Sequence, residues 1–131
     1  MKKILITRKL IQESEDKAVK IFDAKLNSND ELYSQPRVVE MSQGCDGILT
    51  SLTDKMDKET ISKLPDTIKI ISNFAVGFGN IDLNAAREKG IAVTNTPDVL
   101  SDATAEIGIL LILGACRRAS CLLYTSPSPR D

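Results

Sequence analysis

Four short runs rich in branched aliphatic residues restrict what this chain can become. They are Lys3-Ile-Leu-Ile-Thr7, Gly47-Ile-Leu-Thr-Ser51, Lys69-Ile-Ile-Ser-Asn73 and Ile91-Ala-Val-Thr94. Each has strand length and β-forming composition, and the stretches between them carry helical spacing or helix punctuation. Ile11, Ala18, Val19 and Phe22 recur at helical intervals within a charged segment, which predicts a surface helix with one face inward. Phe22 to Leu26 reads as a short strand and Asn27 to Asp30 as a loop. Pro36 near a helix start and Gly44 past its end bracket a short helix. Asp57 to Leu64 predicts a polar helix stopped by Pro65, and Leu83 to Glu88 a short one followed by Gly90. Asn95 to Asp98 is a turn. Ser101 or Asp102 is the expected cap of a long helix running to Arg118, whose arginines lie at the negative end of its dipole.

Strands alternating with helices predict an α/β fold, a flavodoxin-like parallel sheet of about five strands with helices on both faces. Ligands of such sheets bind beyond the carboxyl ends of the strands. The loops of interest are therefore Thr7-Arg8, Thr50 to Leu52, Ala75 to Gly77 and Thr94 to Thr96.

Composition narrows the function. The 131 residues suffice for one domain with a core, and 42% hydrophobic with 27% charged residues is ordinary for a globular chain. A net charge of −1 and 4% aromatics argue against nucleic-acid and anionic-membrane partners. The longest apolar stretch, Ile107 to Cys116, falls short of the ~20 residues that span a bilayer. Three cysteines without paired spacing, Cys45, Cys116 and Cys121, predict reduced thiols and a cytoplasmic setting. No histidine is present, which excludes histidine-based zinc sites, triads and general bases within these residues.

The stretch Val76-Gly-Phe-Gly-Asn-Ile-Asp82 looks like the start of a dinucleotide fingerprint, but Asp82 stands where the third glycine belongs. A phosphate loop is not expected. A glycine-permitted turn at a strand end can instead present the backbone amides of Val76 and Gly77, and two such donors suit a carboxylate.

The segment Asn73 to Arg118 resembles the N-terminal part of the D-2-hydroxyacid dehydrogenases, most nearly the glyoxylate/hydroxypyruvate reductases. The motifs that carry the likeness are VGFGNID, the KGI-V-TNTPDVL segment and the DATAE helix start. The resemblance implies that residues 1–100 form the substrate domain of a two-domain dehydrogenase, and that residues 101–120 form the first helix leading into a dinucleotide-binding domain. It implies that Val76 and Gly77 bind the substrate carboxylate, that Leu52 lies near the substrate pocket, and that Thr104 lies beside NAD or NADP. The family's glycine-rich cofactor loop, its arginine and its histidine–glutamate pair do not match residues of this chain. The implied parent reduces small 2-keto acids such as glyoxylate or hydroxypyruvate to D-2-hydroxy acids and is a homodimer, whereas this chain alone is expected to be inactive. The helix from Ser101 is apolar nearly all round, as suits a domain or dimer interface. Exposed in a truncated chain, it predicts poor solubility.

The segment Cys121 to Asp131, CLLYTSPSPRD, departs from this pattern. It reverse-translates to a string resembling a transposase-type sequencing adapter, so it is expected to be read-through rather than native sequence. A receiver domain would need an acidic cluster after the first strand, where Thr7-Arg8-Lys9 stands. A free-standing small-molecule-binding domain without catalysis is the alternative reading.

Overall fold

The computed structural model describes residues 1–119 and 121. They fall into two compact units, Met1–Pro97 and the segment from Asp98 onward. The first unit runs β1 (Lys3–Ile6), α1 (Gln12–Ile21), β2 (Asp23–Lys25), α2 (Gln35–Met41), β3 (Gly47–Ser51), α3 (Lys58–Lys63), β4 (Ile70–Phe74), α4 (Leu83–Glu88) and β5 (Ala92–Thr94). All neighbouring strands pair in parallel, in the order β2-β1-β3-β4-β5. The chain leaves β1 toward one edge and β3 continues toward the other. The switch point, where open α/β sheets bind ligands, therefore lies between β1 and β3.

Strand alternation sorts the side chains onto two faces. Leu5, Ile48, Ile71 and Val93 stand in register on one face. Val38 of α2, Ile61 of α3 and Ala85 and Ala86 of α4 pack there, with Cys45, Met56, Leu64, Ile68, Ile81 and Ile91 completing the core. The short helices follow from local signals. Asp57 caps α3 by accepting from the Thr60 amide at 3.0 Å, and Asp82 caps α4 by accepting from the Ala85 amide at 3.0 Å. Gly90 takes the left-handed conformation (φ 71°) that ends α4.

The opposite face is covered unevenly. Of the helices of this unit only α1 lies on it, beside an open apolar groove of about 470 Å³ bounded by Ile4, Leu10, Ala18, Ile21, Leu49 and Ile70. This corrects the expected inward face of α1. Ile11 precedes the helix and is 71% exposed, and Val19 is also exposed, while Ala18 and Phe22 are half-buried and Ile21 borders the groove but stays exposed. The one buried α1 residue is Glu15, which accepts from the Leu10 amide at 3.0 Å and so closes the helix entry. The second strand is also shorter than expected, Asp23–Lys25.

The second unit contains α5 (Ser101–Cys116). Neither Ser101 nor Asp102 caps it. Leu100 occupies the N-cap without a side-chain bond, and the Thr104 amide and hydroxyl both donate to the Leu100 carbonyl, at 3.0 and 2.8 Å. Arg117 is the C-cap residue. No α5 side chain is buried, and Ile107, Ile109, Leu110, Leu111, Ile112 and Leu113 are all more than half exposed. So much apolar surface on one helix drives association. A chain ending at Pro97 is expected to elute as a monomer, whereas one extended through Cys116 is expected to associate, as light scattering would measure. No helix among the described residues is long and apolar enough to cross a membrane. The adapter-like tail lies outside the described residues except for Cys121.

Candidate substrate site

The carboxyl ends of β1, β3 and β4 carry a row of polar residues where alternation would place core side chains. Thr7, Thr50 and Asn73 each follow a core aliphatic (Leu5, Ile48, Ile71) by two positions, and each is essentially fully buried. Burying them requires full hydrogen bonding. The Thr7 hydroxyl donates to Asp54 Oδ2 at 2.6 Å, and the Thr50 hydroxyl donates to Asn73 Oδ1 at 3.0 Å. Asn73 Nδ2 donates to the Gly77 carbonyl at 2.9 Å and to Asn80 Oδ1 at 3.0 Å. Asn80 Nδ2 in turn donates to the Ser51 and Asp54 carbonyls at 3.0 and 2.9 Å. Two asparagines thus fasten the loop after β4 to the loop after β3. Among the described residues, no buried side-chain nitrogen or oxygen lacks a partner.

The loop after β3 is a tight turn. The Asp54 amide donates to the Ser51 carbonyl at 3.1 Å, and the Asp54 carboxylate accepts from the Ser51 amide at 2.8 Å. Thr53 accepts from Arg8 Nη1 at 2.9 Å. Leu52 is the residue of this turn whose side chain has no polar tie, and it is 62% exposed.

Arg8 also grips Asp30 through two bonds, Nε to Oδ1 at 2.7 Å and Nη2 to Oδ2 at 2.9 Å. Together with the Lys9 amide, this holds the Asp30 carboxyl well below the usual carboxylate range. Asp57 is depressed likewise, first by the Thr60 amide and then by the Gln35 side chain. A depressed folded-state pKa contributes stability that is present above the unfolded value and lost as pH falls below it. Melting temperature is therefore expected to begin falling as pH drops below about 4 and to go on falling toward the depressed folded-state values. In Asp30→Asn and Asp57→Asn variants that slope should be shallower, and a slope equal to that of the unsubstituted chain would contradict the assignment.

The loop after β4 behaves differently from its surroundings. Its carbonyls are occupied: Ala75 accepts from the Thr96 amide at 2.9 Å and Val76 from Asn95 Nδ2 at 2.8 Å. Its amides are not, since none from Val76 through Asn80 donates a hydrogen bond within the described residues. Gly77 does not occupy the left-handed region, and beyond its two chain neighbours no atom of the described residues lies within 4 Å of where its Cβ would stand. The turn itself therefore does not demand glycine there, contrary to the sequence expectation, and the space beside Gly77 is open.

The four residues singled out from sequence fall as follows. Val76 and Gly77 lie in the loop after β4 and Leu52 in the loop after β3, which the Asn73–Asn80 pair joins. Thr104 belongs to the second unit, in the first turn of α5. Asn73, Asn80, Asn95 and Asp54 do not stand out in the sequence. For Asn73 the available signal is a polar residue at a strand position whose alternation calls for an apolar one.

The loop after β4 does not fit a dinucleotide. The Asp82 side chain already occupies the N-terminus of α4, where a pyrophosphate would need free amides and no anion. Among the described residues no cluster of histidine, cysteine, aspartate and glutamate could hold a metal ion.

A doubly wound parallel sheet with a fastened polar network and unpaired amides at its carboxyl edge defines an open α/β domain. Residues 4–126 match the catalytic domain of the D-isomer specific 2-hydroxyacid dehydrogenases, and the chain belongs to that family. It is 39% identical over 118 residues to a glycerate dehydrogenase from Hyphomicrobium methylovorum, covering 90% of this chain and 37% of that protein. A glyoxylate reductase from Thermococcus litoralis is 37% identical over 88% of this chain and 35% of its own length. The crystal structure of a glyoxylate reductase from Paecilomyes thermophila superposes with a TM-score of 0.77 at 28% identity, over 90% of this chain and 39% of that one. The chain thus spans little more than a third of the length of these curated relatives.

Proposed function

We propose that this chain is the substrate-domain part of an NAD- or NADP-dependent oxidoreductase that reduces small 2-keto acids, of the glyoxylate or hydroxypyruvate type, to D-2-hydroxy acids. The observation that carries this reading is the run of undonated amides at Val76 and Gly77, set beside a network whose buried side-chain polar atoms are all paired among the described residues. A carboxylate is the ligand that such amides serve best, because hydrogen bonds to an ionised acceptor are the stronger kind. Similarity to glycerate dehydrogenase and glyoxylate reductase supports the same substrate class.

In this reading the Val76 and Gly77 amides grip the carboxylate and so fix where the adjacent carbonyl lies. Leu52, held out on its tied turn, forms an apolar wall beside that carbonyl and limits the substrate's bulk. Thr104 lies beside the cofactor. Residues 1–100 act as the substrate domain and residues 101–120 lead into a dinucleotide-binding domain, with α5 covered in a homodimer. Orientation is what these residues supply. A histidine proton donor, if one is used, comes from outside these residues, since the chain has no histidine.

The test is spectrophotometric. The complete protein should consume NADH or NADPH on addition of glyoxylate or hydroxypyruvate, and the 131-residue chain should not. A complete protein that turns over none of a panel of 2-keto acids would contradict the reading. In that case binding without catalysis becomes the better account, and isothermal titration of the chain with glyoxylate would measure it.

A further inference from the structure

We infer that Asn95 is a positioning residue that aims the carboxylate-binding amides by holding the Val76 carbonyl, an inference that rests on the carboxylate reading of that loop. The geometry follows from the peptide plane. No cis peptide occurs among the described residues, and in a trans peptide the carbonyl of one residue and the amide of the next point in opposite directions. The Ala75 carbonyl is directed at the Thr96 amide and the Val76 carbonyl at Asn95 Nδ2, so two successive carbonyls turn toward one short segment, residues 95–96. In a regular strand, successive carbonyls turn to opposite edges. Breaking that alternation sends the amides of Val76 and Gly77 out together on the side away from residues 95–96. Successive amides facing one way form an anion-binding concavity.

The two anchors are not equivalent. The Thr96 anchor is a backbone amide and survives most substitutions. The Asn95 anchor is a side chain, so the direction of the Gly77 amide depends on residue identity. The Val76 carbonyl can only accept, which requires the amide NH2 of Asn95 to face it. Asn95 is half-buried, and among the described residues its side chain makes no other hydrogen bond. It therefore has one structural task, and that task acts on the proposed ligand-binding amide from behind.

The experiment uses the complete protein and its Asn95→Asp, Asn95→Gln and Gly77→Val variants. The probes are glyoxylate as substrate and oxamate as a carboxylate-bearing analogue whose carbonyl is not reduced. Aspartate keeps the shape of asparagine, removes the donor and sets a negative charge against the carbonyl oxygen. Asn95→Asp is expected to raise the KM for glyoxylate and the inhibition constant of oxamate about tenfold, with kcat and the KM for the nicotinamide cofactor within about twofold. Asn95→Gln retains a donor and is expected to recover much of the loss. A purely structural role would lower melting temperature and active fraction without this selective rise, and would overturn the inference. If Gly77→Val weakens oxamate while Asn95→Asp leaves it unchanged, the role of Asn95 falls and the carboxylate site stands. If neither variant affects oxamate, the carboxylate reading falls with it.

Discussion

Asn73→Leu is expected to destabilise the Met1–Pro97 unit by about 3–5 kcal/mol. Asn73 is fully buried and uses both donors and its acceptor: toward Gly77, toward Asn80 and from Thr50. Leucine keeps the same branched heavy-atom skeleton but satisfies none of these, and each polar group left bare in a buried site costs about 1–3 kcal/mol. The sum is a large share of the roughly 5–15 kcal/mol typical of a whole domain. Urea denaturation would show it as a lower midpoint, and calorimetry as a fall in melting temperature of roughly 15 °C or more. Thr50→Val in the same background removes one of the orphaned groups, so the double variant should be about 1 kcal/mol more stable than additivity predicts. A loss under about 1 kcal/mol for Asn73→Leu would mean that the network is not fastened as described.

Gly77→Val is expected to do the reverse, sparing the fold and removing the ligand. Among the described residues nothing lies within 4 Å of where a Cβ at Gly77 would project, and the backbone there is not left-handed, so the first side-chain atom is accommodated without backbone strain. Stability should stay within about 1 kcal/mol. The added isopropyl group, however, stands beside the amide proposed to bind the carboxylate. Losing a hydrogen bond to a charged group costs about 1.5–3 kcal/mol, which corresponds to roughly a tenfold to hundredfold rise in KM for glyoxylate in the complete protein. Melting curves and steady-state kinetics on the same preparation separate the two effects. A variant that melts early, or one that binds glyoxylate normally, would contradict the assignment.

Much of the fold is legible in the sequence because the strands carry their own signal. Gly47–Ser51 and Leu83–Glu88 lie where β-branched composition and helix punctuation put them. The inward face of α1 is not legible. Its spacing counts Ile11 as a helical residue, whereas Ile11 is the N-cap with extended backbone, and the helix turns Ala18 and Phe22 rather than Val19 toward the sheet. The cap of α5 is obscured for a different reason. Ser101 and Asp102 have capping side chains, but Thr104 bonds back to the Leu100 carbonyl and shifts the helix start by one residue. In the candidate site, Val76 and Gly77 stand out as a glycine-containing loop at a strand end, and the residues that hold the loop do not. Asn73, Asn80 and Asn95 act through contacts between 4 and 29 positions apart in sequence, and no local periodicity encodes such contacts.

Everything proposed for the site depends on the Val76 and Gly77 amides binding the substrate carboxylate. A crystal structure of the complete protein with oxamate would show whether they do. A carboxylate oxygen is expected about 2.7–3.1 Å from both backbone nitrogens, with the Val76 carbonyl still on Asn95. An oxamate carboxylate held elsewhere, with those two amides facing water, would contradict the proposal.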